Sequence, residues 1–195
     1  MNPQAGEVAG VILAAGEGRR IGRSKALLEI DGVKFLERVV LAIRAAGCEP
    51  VVVVGGADAD AVRAEAQRLD ARFALNSDWE RGQFSSLKVG LAGSGSEPQG
   101  VMVALVDHPF VAEETYRLLF EAFKAAPQKI FIPSHRGTRG HPVVVPRKIV
   151  DEIVRSSDDL TLRDVMKKHA DLIVELEVKD PGILKDVDTA VDLER

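Results

Sequence analysis

The chain has 195 residues, 46% of them hydrophobic, enough apolar content for one domain with a packed core. Its formal net charge of −4 gives no fold-wide basic face, which removes nucleic acid as an expected partner. Its one cysteine, Cys48, excludes an intrachain disulfide framework and a Cys-rich zinc site, and no apolar stretch approaches the roughly 18 residues of a membrane span.

Residues 1–7 have neither the basic start nor the apolar stretch of a signal peptide, so the expected location is the cytoplasm. Residues 8–13 read as a buried strand. It runs straight into Ala14-Ala15-Gly16-Glu17-Gly18-Arg19-Arg20-Ile21-Gly22-Arg23-Ser24-Lys25. Glycines let a backbone approach a ligand closely and adopt positive φ. Successive N–H groups in such a turn form an anion-binding concavity, and Arg20 and Lys25 can neutralise what binds there. The segment reads as a polyphosphate site. Two common phosphate loops do not fit it. The dinucleotide fingerprint needs G-x-G-x-x-G/A and an acid about 20 residues on. Here Ile21 stands at the third small position, and the next strand ends in Gly55-Gly56. The Walker A loop needs G-K-[ST] after its first glycine and four spacers, and Lys25 lies between Ser24 and Ala26.

Leu36, Val39, Val40 and Ile43 recur at helical spacing and predict a helix over 35–46, closed by Gly47. Cys48 follows at the turn and is expected as buried filler rather than a nucleophile. The β-branched run 50–54 is typical of a parallel strand buried on both faces. A helix over 57–69, a short strand over 72–75 and a helix over 84–91 follow, the last with Ser85 or Ser86 as a candidate cap. Residues 93–98 form a surface loop. The apolar strand 100–106 ends at Asp107. Ligands in open α/β sheets bind beyond the carboxyl ends of strands, so a carboxylate there is placed to hold Mg²⁺, which binds through one or two carboxylates plus substrate phosphates.

Residues 113–124 are a predicted helix and 129–133 a strand. The Gly/Arg loop 135–141 carries two arginines and two glycines, which suit a second anion. A strand over 143–145, a helix over 146–155 with Pro at its start, a helix over 160–169 and a strand over 172–177 complete the chain. The alternation of strands and helices predicts a single 1–195 domain of α/β class: a three-layer sandwich with a mostly parallel, Rossmann-like central sheet.

Four segments carry a resemblance. Leu13-Ala14-Ala15-Gly16-x-Gly18-x-Arg20-x-Gly22-x-x-Lys25 resembles the signature L-A-A-G-x-G-x-R-x-G-x-x-K of nucleotidyltransferases with a nucleoside-triphosphate-transferase fold. Asn76 to Leu91 is similar to N-x-x-W-x-x-G-x-x-x-S-L-x-x-G-L, and Arg136 to Val143 to G-x-R-G-H-P-V. Both typify the branch that makes molybdenum-cofactor dinucleotides, the molybdenum cofactor cytidylyltransferase-like proteins. Asp186 to Leu193 resembles the closing D-x-D-T-P-E-D-L, with Ala190 and Val191 replacing its Pro and Glu. Asp158 to Arg163 loosely matches G-D-x-G-x-R, with Asp158 and Thr161 in place of the glycines.

The resemblance implies a division of labour. Leu13, Ala14, Ala15, Gly16, Gly18 and Gly22 would cradle the nucleotide, with Gly82 and Ser86 against its base. Asp107 and Asp188 would hold Mg²⁺. Arg20 would bind the β- and γ-phosphates and Lys25 would stabilise the α-phosphoryl group. Arg139, Gly140 and His141 would face the phosphate of a pterin substrate. The implied reaction moves CMP from CTP to molybdopterin and releases pyrophosphate, with a molybdoenzyme as possible recipient of the product. Ala15 resembles the CTP branch, since the GTP branch tends to have Gly there. A GTP-dependent or a sugar- or polyol-phosphate nucleotidyltransferase, and a non-catalytic nucleotide- or cofactor-binding relative, stay open as alternatives.

Overall fold

The computed structural model describes residues 7–18, 24–157 and 159–187. In chain order, β1 (Val8–Leu13) is followed by a small antiparallel ribbon, β2 (Glu29–Ile30) and β3 (Val33–Lys34), and by α1 (Phe35–Ala45). Next come β4 (Val51–Gly55), α2 (Ala59–Arg68), β5 (Arg72–Leu75), α3 (Gln83–Gly93) and β6 (Gly100–Leu105). The chain continues with α4 (Glu113–Ala125), β7 (Ile130–His135), β8 (Thr138–Arg139), β9 (Val143–Pro146), α5 (Arg147–Arg155), α6 (Leu162–Lys168) and β10 (Ile173–Glu177).

The main sheet runs β10-β7-β9-β6-β1-β4-β5, with β8 attached to β7. Its centre is parallel: β1 pairs in parallel with β4 on one side and β6 on the other, β4 with β5, and β10 with β7. β9 runs against both β6 and β7. The link between β7 and β9 is too short for the dozen or more residues a parallel crossover needs, so the chain returns antiparallel.

Alternation along each strand separates two cores. Val8, Ile12, Val51, Val53, Met102, Ala104, Phe131 and Val144 face one side, where α1, α2 and α4 bring Leu36, Val40, Ile43, Val62, Tyr116, Leu119 and Phe123. Val11, Leu13, Val52, Val54, Val101, Val103, Ile132 and Val145 face the other, against Leu87, Leu91, Ile149, Ile153 and Val165 of α3, α5 and α6. This is the α/β sandwich with a mostly parallel centre. Close helix packing depends on Gly90 of α3. A Cβ there would lie 2.5 Å from Val11 and 2.7 Å from Val54, so α3 rests on the strands that carry the site.

Several local details differ from expectation. The β2–β3 ribbon turns at Asp31-Gly32, both with positive φ of 53° and 76°, an Asp-Gly hairpin signal that the sequence contained. Pro146 pairs with Gly100 as the last residue of β9, one position before α5 begins. Helix α3 starts at Gln83 after Gly82, and Ser85 donates to the Gly82 carbonyl at 2.8 Å from inside the first turn; neither serine is the cap residue. Among the described residues, no helix is long and apolar enough to cross a membrane.

Candidate active site

The chain walks outward from β1 to β4 and β5, then returns to the other side of β1 as β6. The loops beyond the carboxyl ends of β1 and β6 therefore flank a crevice where the strand order reverses, the usual ligand position in open α/β sheets. A cavity of about 820 Å³ opens there, within the size range of small-molecule sites. Its floor is Leu13 to Gly18 with Ser24 and Lys25. One wall is Trp79, Glu80, Gly82, Gln83 and Ser86, and the other is Leu105, Val106 and Asp107.

The glycine-rich loop is held by backbone bonds to its neighbours. Ala14 N–H donates to the Val54 carbonyl at 2.9 Å, Val106 N–H to the Leu13 carbonyl at 3.2 Å and Ala57 N–H to the Ala15 carbonyl at 3.2 Å. Gly56 lets this happen: a Cβ there would be 2.7 Å from both the Ala15 oxygen and Trp79 Cβ. On the far side of the loop, Ser24 N–H donates to Asp58 Oδ2 at 2.8 Å. The loop is thus clamped at both described ends, and Gly18 turns with φ of +61°. Arg20 and Gly22 lie outside the described residues.

Lys25 and Asp107 are brought together from opposite lips of the crevice. Lys25 Nζ is 3.1 Å from Asp107 Oδ2, and both side chains remain partly open to the cavity. Val187 N–H donates to the Asp107 carbonyl at 2.9 Å, so the end of the described chain lies beside Asp107. Asp188 is outside the described residues. No cluster of three or more metal-ligating side chains occurs among the described residues. A cavity-facing aspartate opposite a phosphate-type loop suits a hard cation that takes its remaining ligands from substrate phosphates and water, so the donor set fits Mg²⁺ or Mn²⁺ and does not fit zinc.

The opposite wall is built around Asn76, which is buried at the end of β5. Its Nδ2 donates to Ser85 Oγ and to Ser86 Oγ, each at 2.9 Å, and its Oδ1 accepts Asp78 N–H at 3.0 Å. Its own N–H is bound to the Gly55 carbonyl at 2.9 Å. One amide therefore fixes the first turn of α3, with Ser86 in the cavity lining, to the end of β4. Gly82 has φ of +103° and ψ of 179°, a region essentially restricted to glycine. A Cβ would meet nothing there, so conformation and not space demands the glycine.

A second cavity of about 340 Å³ shares Leu13, Gly82, Gln83 and Leu105 with the first. It is walled by Phe84, Leu87, Val103, Leu160 and Leu162, with Arg81, Gln83, His141, Asp159 and Thr161 as its polar groups. Burial pushes His141 down to about 4, reinforced by the neighbouring His108 and opposed by Asp107 and a bond to the Val103 backbone. The two imidazoles are 5.7 Å apart, and Nδ1 of each is buried without a hydrogen-bond partner. The other two residues of the Arg139-Gly140-His141 run do not line either cavity. Arg139 pairs with Glu175 at 2.5 Å on the sheet edge. Gly140 packs directly on the Ile183 carbonyl, leaving no room for a side chain. Cys48 is buried and its thiol is pushed up to about 12 by burial and by Glu49.

Sequence reasoning missed Asn76, Asp58 and Gly56 as builders of the site. Asp58 looks like a helix cap, but it makes no cap bond and binds Ser24 instead. Asn76 offered a usable signal, a polar residue closing an apolar strand with two serines nine and ten positions on.

A family model described as the MobA-like NTP transferase domain matches residues 10–172. The nicotine blue oxidoreductase of Paenarthrobacter nicotinovorans is 32% identical over 96% of this chain and 95% of that protein. The molybdenum cofactor guanylyltransferase of Rhodobacter capsulatus is 31% identical over 72% of each. The crystal structure of Rv0371c from Mycobacterium tuberculosis H37Rv superposes with a TM-score of 0.84 at 30% identity, covering 99% of this chain and 98% of that one. The manganese complex of the same protein gives 0.79 at 28% identity over 96% of each chain.

Proposed function

The chain belongs to the MobA-like NTP transferase domain family and is an enzyme of nucleotidyltransferase type, and on that premise we propose that it moves CMP from CTP to a molybdopterin-type phosphorylated acceptor. A phosphate oxygen of the acceptor attacks the α-phosphorus, a new P–O bond forms, the bond to the β-phosphate oxygen breaks and pyrophosphate leaves. The observation that carries this reading is the Lys25–Asp107 pair at 3.1 Å facing a clamped glycine-rich loop across one cavity.

Such a phosphate nucleophile needs no strong base, so catalysis rests on positioning and electrostatic stabilisation. Leu13 to Gly18, with Gly22 and Arg20, would grip the triphosphate. Lys25 would stabilise charge on the α-phosphoryl group. Gly82 and Ser86, held by Asn76, would meet the base. Asp107 and Asp188 would hold a divalent cation, Mg²⁺ in this reading, which when bound neutralises phosphate charge. The second cavity supports a ring-bearing acceptor, because it joins an apolar wall of Phe84, Leu87, Val103, Leu160 and Leu162 to polar groups that include His141, Gln83 and Thr161. Arg139, set on the sheet edge, and Gly140, packed under Ile183, would act there through the placement of His141.

Ala15 favours CTP, and the named guanylyltransferase relative favours GTP. A redox reading is favoured by one observation, the oxidoreductase name of a relative matched over nearly the full chain. Against it, β4 ends in Gly55 and Gly56 follows, where a dinucleotide site would want an acid for the ribose. The test is pyrophosphate release from Mg²⁺, molybdenum cofactor and each of CTP, GTP, ATP and UTP, with NADH and NADPH oxidation followed in parallel. Release with CTP alone is expected. Release with GTP alone would keep the mechanism and move the base to guanine. Nicotinamide oxidation without pyrophosphate release would overturn nucleotidyl transfer.

A further inference from the structure

We infer that Asp58 is a positioning residue for Lys25: through the Ser24 N–H it fixes the start of the turn that carries the ammonium. The inference rests on the nucleotidyl-transfer reading of the site, in which Lys25 acts on the α-phosphoryl group. Lys25 opens a single helical turn, Lys25–Leu27. Two backbone bonds close it, Leu27 N–H to the Ser24 carbonyl at 3.2 Å and Leu28 N–H to the Lys25 carbonyl at 3.1 Å. Downstream, Ala26 and Leu28 are fully buried in the core on the side of α1 and α2. The Leu28 carbonyl also accepts the N–H of Phe35, the first residue of α1, at 2.8 Å. Packing therefore holds the turn from below. Upstream, Ser24 is only 1% exposed, and its side chain makes no cap bond to the turn. Its N–H goes to Asp58 Oδ2 at 2.8 Å, across 34 positions of sequence. A buried N–H without a partner costs about as much as a lost hydrogen bond, and a charged acceptor makes the stronger bond.

The acceptor is itself anchored. Asp58 precedes α2, and its carbonyl accepts Val62 N–H at 3.0 Å, while its carboxylate makes no cap bond to that helix. One residue earlier, Ala57 N–H donates to the Ala15 carbonyl at 3.2 Å. The short link from β4 to α2 thus ties the turn of Lys25 to the cavity floor. Asp58 is exposed and lies outside the lining of both cavities, so it reaches the substrate through Lys25 and not directly. A lysine is a point charge on a flexible four-carbon stem. Asp107 holds the tip of that stem at 3.1 Å, and the turn holds its root. When a phosphoryl group takes the ammonium from Asp107, the root is what keeps the charge in place. A donor fixed in this way needs no reorganisation as charge builds.

The test uses the full chain with Mg²⁺, molybdenum cofactor and whichever of CTP, GTP, ATP and UTP supports pyrophosphate release. The native protein is compared with Asp58→Ala, Asp58→Asn, Lys25→Ala and the double variants. Trp79, the sole tryptophan and part of the cavity wall, reports nucleotide binding by its fluorescence. For Asp58→Ala, kcat should fall about 10–100-fold, as for a small misplacement of a catalytic group, with nucleotide affinity unchanged. Asp58→Asn keeps a weaker, neutral acceptor and should lose less. In the Lys25→Ala background neither substitution should lower kcat further, as for residues that act as a unit. Native kcat in folded Asp58→Ala overturns the inference. So does weakened nucleotide binding at native kcat, which marks a grip on the bound nucleotide. So does a full further loss in the double variant, which marks an effect that bypasses Lys25. If circular dichroism finds Asp58→Ala unfolded, Asp58→Asn decides: a kcat loss absent from the Lys25→Ala background sustains the inference, and native kcat overturns it. No release by the native protein with any nucleotide overturns the transfer reading itself, a result distinct from native turnover that the Asp58 variants leave intact.

Discussion

Lys25 and Asp107 lie 82 positions apart and meet at 3.1 Å. Both side chains line the cavity and stay partly open to it, so a ligand entering there meets the pair. In the proposed reaction the ammonium would stand where charge builds on the transferring phosphoryl group. Lys25→Ala should lower kcat by about 10²–10³, the loss typical of one preorganised donor, with little change in thermal midpoint. Pyrophosphate release under saturating nucleotide checks this, and near-native turnover would remove Lys25 from the mechanism.

At the scale of the element, the first turn of α3 is positioned from outside itself. The helix has no side-chain cap; its placement comes from Gly82, from Gly90 lying on Val11 and Val54, and from Asn76 below its serines. Truncating Asn76 leaves buried polar partners unmatched, at a cost of about 1–3 kcal/mol. Asn76→Ala should therefore lower the urea midpoint and also weaken nucleotide binding reported by Trp79. Loss of stability with native nucleotide affinity would mean that the strut supports the fold and not the cavity.

The whole molecule carries a pH dependence through the joint where His141 N–H donates to the Ile183 carbonyl of the turn Pro181–Leu184. Folded His141 stays neutral down to about pH 4, chiefly because it is buried, with His108 adding to the effect and Asp107 opposing it. An unfolded histidine takes its proton below about 6.5. Between these values the unfolded chain binds more protons, so this contribution to stability is complete above pH 6.5 and falls as pH drops toward 4. The loss reaches about 3 kcal/mol. Denaturation midpoints measured from pH 7 to 4 should fall less steeply for His141→Gln than for the native protein, and parallel slopes would contradict this account.

The sequence by itself determined the layers and the ends of the strands. Runs such as Val51 to Val54 are apolar on both faces, which only a central parallel strand tolerates, and glycine-rich or acidic residues just beyond β1 and β6 marked where a ligand could lie. These signals are local and survive in one dimension. The tertiary structure decided what stands opposite what. It turned β9 antiparallel, paired Lys25 with Asp107, diverted Asp58 from its helix to Ser24, moved Arg139 to Glu175 and used Asp180 to cap α4 across 68 positions. Each is a hydrogen bond or ion pair between segments whose separation in sequence says nothing of their separation in space, and it forms only because packing of two cores against one sheet brings those segments together.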